Sequence, residues 1–106
     1  MVRHDLPDGV FYSLYAHLAS ATVAVGEQVT HASVLGRMGF TGSGIDQRRA
    51  HLHVELNILL NPDFETWFSS GFRSPNHHGI YNGMNLLGLD LQALYLAHTK
   101  NPDITL

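Results

Sequence analysis

From Ala50 the chain alternates polar and apolar side chains without a break: His51, Leu52, His53, Val54, Glu55, Leu56. A period of two marks a strand with one buried face. The pattern therefore predicts a strand over 50–60, with Leu52, Val54 and Leu56 turned inward and His51, His53 and Glu55 sharing the other face. Upstream, Leu6-Pro7-Asp8-Gly9 reads as a β-turn, because Pro presets φ and Asp-Gly follows it. Residues 10–18 alternate less regularly but are rich in Phe11, Tyr12 and Tyr15, which predicts a second strand, with residues 2–4 as its hairpin partner. Within it His17 falls near the end, on the side of Tyr15.

Over 23–39, short β-branched pieces alternate with Gly and polar turn residues, as in the short strands and tight turns of a small barrel or sandwich. Thr41-Gly42-Ser43-Gly44 reads as a flexible loop that continues through Arg48 and Arg49. The composition shifts at Asn61-Pro62. Asp63 is placed to cap a short helix ending at Trp67 or Phe68, and 69–83 reads as irregular, with Gly and Pro spread through it. Leu87, Leu91, Leu94, Tyr95 and His98 then fall at helical spacing, predicting a helix from Leu89 or Asp90 to Thr99 that Asn101-Pro102 ends. The expectation is a mainly β fold with a C-terminal α-helical appendage: residues 1–60 a β domain, residues 61–106 a loop-and-helix extension packed on it.

Charge narrows the choice of function. Six Lys and Arg against nine Asp and Glu leave a net charge of -3. A nucleic-acid face needs clustered cations to displace counterions, so that class is set aside. No apolar run is long enough to span a bilayer, and the first residues lead into no apolar signal region. The absence of Cys excludes disulfides and zinc–thiolate sites.

Eight His in 106 residues invite a metal or acid–base role. Two imidazoles at i and i+2 converge only on a strand, where they could meet one metal ion or one substrate; on a helix they would diverge. His51 and His53 are candidates for such a site, although spacing alone favours two polar residues on a solvated strand face. His31 reads as an exposed turn residue and His98 as a helix C-terminal residue suited to the macrodipole. His77 and His78 lie in the irregular stretch, where a loop role is favoured over a substitute ligand. Arg48 and Arg49 are placed to meet an anionic substrate or to face solvent.

Three pieces line up in order: Leu14-Tyr15-Ala16-His17-Leu18, then Val25-Gly26-x-x-Val29 with Leu35-Gly36-x-x-Gly39, then Thr41-Gly42-Ser43-Gly44 with His51-Leu52-His53-Val54-Glu55. Together they resemble the C-terminal half of the lysostaphin-type zinc metallopeptidases, which cleave peptide cross-links in bacterial cell walls. The resemblance implies a duplicated-hybrid-motif-like β fold, a zinc cofactor, a peptidoglycan or peptide substrate and an extracytoplasmic place of action, in the periplasm or cell envelope. It implies that His53 is a zinc ligand, and that His17 and His51 orient the attacking water and stabilise the tetrahedral intermediate. Independently of the resemblance, Glu55 reads first as solvent-facing strand polarity and second as a partner that fixes a His tautomer from behind.

The family also uses a His and an Asp, spaced His-x-x-x-Asp, on a segment well upstream, and that segment is expected to be missing here. His4 and Asp8 have the spacing, but Asp8 falls in the Pro7-Asp8-Gly9 turn. The isolated chain is accordingly expected to be inactive or very weak, and to rely on an upstream segment or a homo-oligomer. The rival expectation is a non-catalytic peptidase-like domain that binds cell wall or a partner protein. The Val-Gly-x-x-Val pattern also occurs in biotinyl and lipoyl carrier domains, but a carrier needs a Lys on an exposed hairpin, and the one Lys, Lys100, lies past the predicted last helix.

Overall fold

In a computed structural model the protein is described over residues 1–104. The strands are β1 (Val2–Leu6), β2 (Gly9–Ala16), β3 (Leu18–Ala21), β4 (Gly36–Met38), β5 (His53–Leu59) and β6 (Leu86–Gly88). The α-helices are α1 (Phe64–Gly71) and α2 (Leu91–Lys100). The strands form one four-stranded sheet in the order β1-β2-β5-β6 and one two-stranded sheet, β3-β4. The mainly β fold with a C-terminal helical appendage is therefore present, built from two open sheets and not from a closed barrel. Two compact units divide the chain: Met1–Leu14 with Glu55–Leu106, and Tyr15–Val54 between them.

In the first unit β1 and β2 make the predicted hairpin. Their antiparallel register pairs Val2 with Ser13 and Leu6 with Gly9, leaving Pro7 and Asp8 as the turn. Strand β6 adds to β5 by pairing Leu86 with Leu59 and Gly88 with Asn57. Helix α1 buries Phe64 and Phe68 at helical spacing and runs past its predicted end to Gly71, where the Phe72 amide closes the last turn on the Phe68 carbonyl at 2.9 Å. Phe68 also stacks on Phe72 at 4.6 Å between ring centroids. Asp63 precedes α1 but makes no side-chain cap, whereas the Asp90 carboxylate caps α2 by accepting from the Ala93 amide at 2.9 Å. Leu87, which helical spacing grouped with α2, lies in β6, and Lys100, expected past the helix, is its last residue because the Asn101 amide still bonds back to the Ala97 carbonyl.

The buried apolar residues are Tyr12, Leu56, Phe64 and Phe68, all in this unit. Two asparagines are buried more deeply, each 1 % exposed. Asn85 donates to the carbonyls of Asn61 and Ile80 at 2.9 Å each and accepts from the Asn61 amide at 2.8 Å. It thus ties three stretches together with every bond satisfied. Nothing in its sequence neighbourhood marks it out.

The second unit departs furthest from the alternation pattern. The strand expected over 10–18 stops at Ala16 and restarts as β3 at Leu18. His17 sits at the break with φ 61, in the left-handed region. Residues 23–35 hold no strand. There, side chains take up the main-chain groups that a ladder would use. The Glu27 carboxylate accepts from the Ala24 amide at 2.8 Å, and the Ser33 hydroxyl accepts from the Thr30 amide at 2.9 Å. The two glycines of Leu35-Gly36-x-x-Gly39 are required by close approach. A Cβ on Gly36 would collide with the Ser20 carbonyl, and one on Gly39 would lie 2.6 Å from the Ala19 amide nitrogen. The antiparallel pairing of β3 with β4 depends on that contact.

Alternation also overstates the order before β5. Residues 50–52 are extended but unpaired, so His51 precedes the strand instead of opening it. Leu52 and Val54, expected inside, are 45% and 41% exposed, and only Leu56 is buried. Among the described residues no apolar side chain of Tyr15–Val54 is buried.

Candidate metal centre

Three imidazoles converge in the second unit. His17 comes from the β2–β3 break, His51 from the extended residues before β5, and His53 from the first position of β5. Each offers a ring nitrogen, and these atoms lie within 4.8 Å of one another. The rings of His17 and His51 meet edge-on with centroids 4.7 Å apart, and those of His17 and His53 at 5.7 Å. His17 and His53 are half-buried and His51 is exposed. The sequence-predicted trio is thus brought together by two different routes. The i,i+2 spacing of an extended chain aligns His51 with His53, and a left-handed residue turns His17 towards them.

Main-chain carbonyls fix two of the rings. His17 Nδ1 donates to the Thr41 carbonyl at 2.7 Å, and His51 Nδ1 donates to the Arg49 carbonyl at 2.8 Å. A carbonyl can only accept, so in each neutral ring Nδ1 carries the hydrogen and Nε2 carries the lone pair. Thr41 braces the first contact by donating from its hydroxyl to the carbonyl of Leu18, the residue after His17, at 3.0 Å. Gly42 has φ 124, and a Cβ there would stand 3.1 Å from His17 Nδ1. Glycine at this position leaves the ring room to reach Thr41.

The other candidates make these contacts. Glu55, one residue pair along β5, accepts from the Asn57 side chain at 3.1 Å. Arg49 donates to the Gly44 carbonyl at 2.8 Å, while Arg48 reaches Asp46 only at 3.5 Å and is 92% exposed. His4 pairs with the Ser13 hydroxyl at 2.7 Å across the β1–β2 hairpin. Asp8 lies in the hairpin turn and lines an apolar hollow with Leu91 and Tyr95. Neither joins the three-histidine group, which is the one cluster of potential metal ligands among the described residues. His78 leads into a 3-10 turn at Gly79–Tyr81, and His98 donates to the Ile104 carbonyl at 3.2 Å from the last turn of α2. Sequence reasoning missed Thr41 and Arg49, which act through their main chain. The one available signal was Asp46, three residues before Arg49, a spacing suited to an N-cap.

The model of peptidase family M23 matches residues 1–62, more than half of the chain. The chain belongs to peptidase family M23. The match spans β1 to β5 and includes all three clustered histidines. No curated protein and no solved structure matches the chain. Membership in the M23 family makes this a peptidase-type domain, and among the described residues no helix is long and apolar enough to cross a membrane.

The donor set suits zinc. Imidazole nitrogen is a favoured ligand, and catalytic zinc sites commonly use three protein ligands. Two nitrogens on one tetrahedral zinc stand about 3.4 Å apart when each bond is about 2.1 Å. Ligand atoms already within 4.8 Å can reach that spacing by small ring movements.

Proposed function

We propose that this chain is a zinc-dependent peptidase domain acting on peptide cross-links of the bacterial cell wall. The observation that carries the reading is the convergence of His17, His51 and His53, two of them anchored at Nδ1 so that Nε2 is left to act. His53 is the proposed zinc ligand. Zinc, when held there, supplies polarisation of the scissile carbonyl and acidification of water.

The rest of the chemistry belongs to the chain. A neutral His51 can take a proton at Nε2 while its Nδ1 hydrogen stays on the Arg49 carbonyl, so the ring does not turn as it changes charge. His17, held in the same way by Thr41, can donate from a protonated Nε2 to a developing oxyanion or to the leaving amine. The paired rings would then supply one proton acceptor and one proton donor beside a metal held by His53.

A second reading is favoured by the make-up of the cluster, which contains three imidazoles and no carboxylate. It takes the chain as a peptidase-like module that binds cell wall or a partner protein without cutting. One experiment separates the two. Zinc titration of the chain and of its His53→Ala variant is combined with release of new amino termini from purified peptidoglycan. Stoichiometric zinc lost in His53→Ala, with slow metal-dependent release, supports the peptidase. Zinc with no release supports the binding module. Zinc uptake indifferent to His53 overturns both assignments of that residue.

A further inference from the structure

A short 3-10 turn, Gln47–Arg49, stands immediately before the two β5-side histidines. Asp46 caps it: one carboxylate oxygen accepts from the Arg48 amide at 2.9 Å and from the Arg49 amide at 3.1 Å. The Arg49 guanidinium reaches back to the Gly44 carbonyl at 2.8 Å, and the Arg49 carbonyl receives His51 Nδ1 at 2.8 Å. Arg49 is therefore held at its amide, at its side chain and at its carbonyl. The preceding loop has two glycines at positive φ, Gly42 and Gly44, and is free to move unless something outside it fixes it.

We infer that Asp46 and Arg49 are positioning residues that hold His51 in its Nδ1–H tautomer. The inference rests on the proposed function only for the use to which His51 is put. Its physical content is independent. A neutral histidine in water favours the Nε2–H form, in which the lone pair is on Nδ1. An exposed ring such as His51 needs an acceptor fixed beside Nδ1 to reverse that preference. The acceptor here is the carbonyl of a residue whose amide is held by the Asp46 cap and whose side chain is held by the Gly44 carbonyl, and its own peptide N–H, that of Ala50, closes the turn on the Gln47 carbonyl at 3.4 Å. Release of the clamp returns the ring to the water-preferred form and places a hydrogen on the nitrogen that the chemistry needs free.

The test compares the chain with Asp46→Ala, Asp46→Asn and Arg49→Ala. Asn caps as Asp does, whereas Ala cannot. The tautomer is read from the side-chain nitrogen resonances of His51 at about pH 8, above the ordinary histidine range. The parent and Asp46→Asn are expected to hold the Nδ1–H form. Asp46→Ala and Arg49→Ala are expected to move towards Nε2–H, while zinc affinity, measured in parallel, stays within about tenfold of the parent because His51 is not the proposed metal ligand. Arg49 is solvent-facing, so its variant keeps the question open to measurement should Asp46→Ala fail to fold. An unchanged His51 tautomer in a folded Asp46→Ala or Arg49→Ala variant overturns the inference and leaves the proposed peptidase untouched. A shifted tautomer in a chain that takes up no zinc supports the inference and removes the peptidase reading.

Discussion

His17 and Thr41, 24 positions apart, are joined by a 2.7 Å hydrogen bond from the imidazole Nδ1 to the main-chain carbonyl. The bond sets the tautomer of a residue whose own backbone sits in the left-handed region at φ 61. For a non-glycine residue that conformation costs on the order of 1 kcal/mol or more, and such residues cluster where geometry serves function.

His17→Gly separates those two terms. Glycine adopts positive φ freely, and the lost hydrogen bond is solvent-exposed and contributes about 0.5–1.5 kcal/mol. The variant is predicted to unfold in urea within about 1 kcal/mol of the parent. Its peptidoglycan hydrolysis should fall on the order of 100-fold or more. A loss of several kcal/mol would make His17 a structural residue.

Gly42→Ala should reach the same ring from outside. The new methyl would stand 3.1 Å from His17 Nδ1 on a backbone at φ 124. We predict a destabilisation of about 1–2 kcal/mol together with displacement of the His17 ring, visible as a changed His17 side-chain resonance. An unaltered resonance would mean that the Thr41 contact does not need the glycine.

The three histidines are predicted to split by phenotype. His53→Ala should abolish stoichiometric zinc uptake. His17→Ala and His51→Ala should keep zinc within about tenfold of the parent yet lower turnover by roughly 10²–10⁴-fold. Equal zinc loss in all three, by calorimetric titration, would reassign them as a three-ligand cage.

Asn85→Ala removes three hydrogen bonds from a residue that is 1 % exposed. It strands the Asn61 amide and two carbonyls in the interior, and we predict a cost of about 2–4 kcal/mol in chemical denaturation. Zinc stoichiometry under native conditions should be unchanged. A cost below about 1 kcal/mol would show that water replaces the side chain.

The elements that follow from local chemistry were legible in the sequence. The Pro7-Asp8 turn, the hairpin across it, the strand carrying His53 and the Asp90-capped helix all stand close to where the pattern puts them. The His17, His51 and His53 grouping was legible through ordered motifs. The rest was not, for identifiable reasons. A bond such as His17 to Thr41 uses a carbonyl that every residue carries, so it leaves no compositional trace. Asn85 does its work through contacts 24 residues away. Alternation misplaced Leu52 and Val54 because period two reports an extended backbone, not a covered face.

The segment that carries the three imidazoles has no buried apolar side chain among its described residues; turns, caps and glycine contacts hold it. Hydrogen bonds open to water yield locally at a small fraction of the global unfolding free energy. Amide protons there should exchange long before those around Phe64 and Phe68. A ligand gripped by the histidines would raise the local opening free energy with the logarithm of its concentration and so slow exchange in proportion to that concentration above its Kd, which makes the exchange rate of this one segment a direct gauge of occupancy.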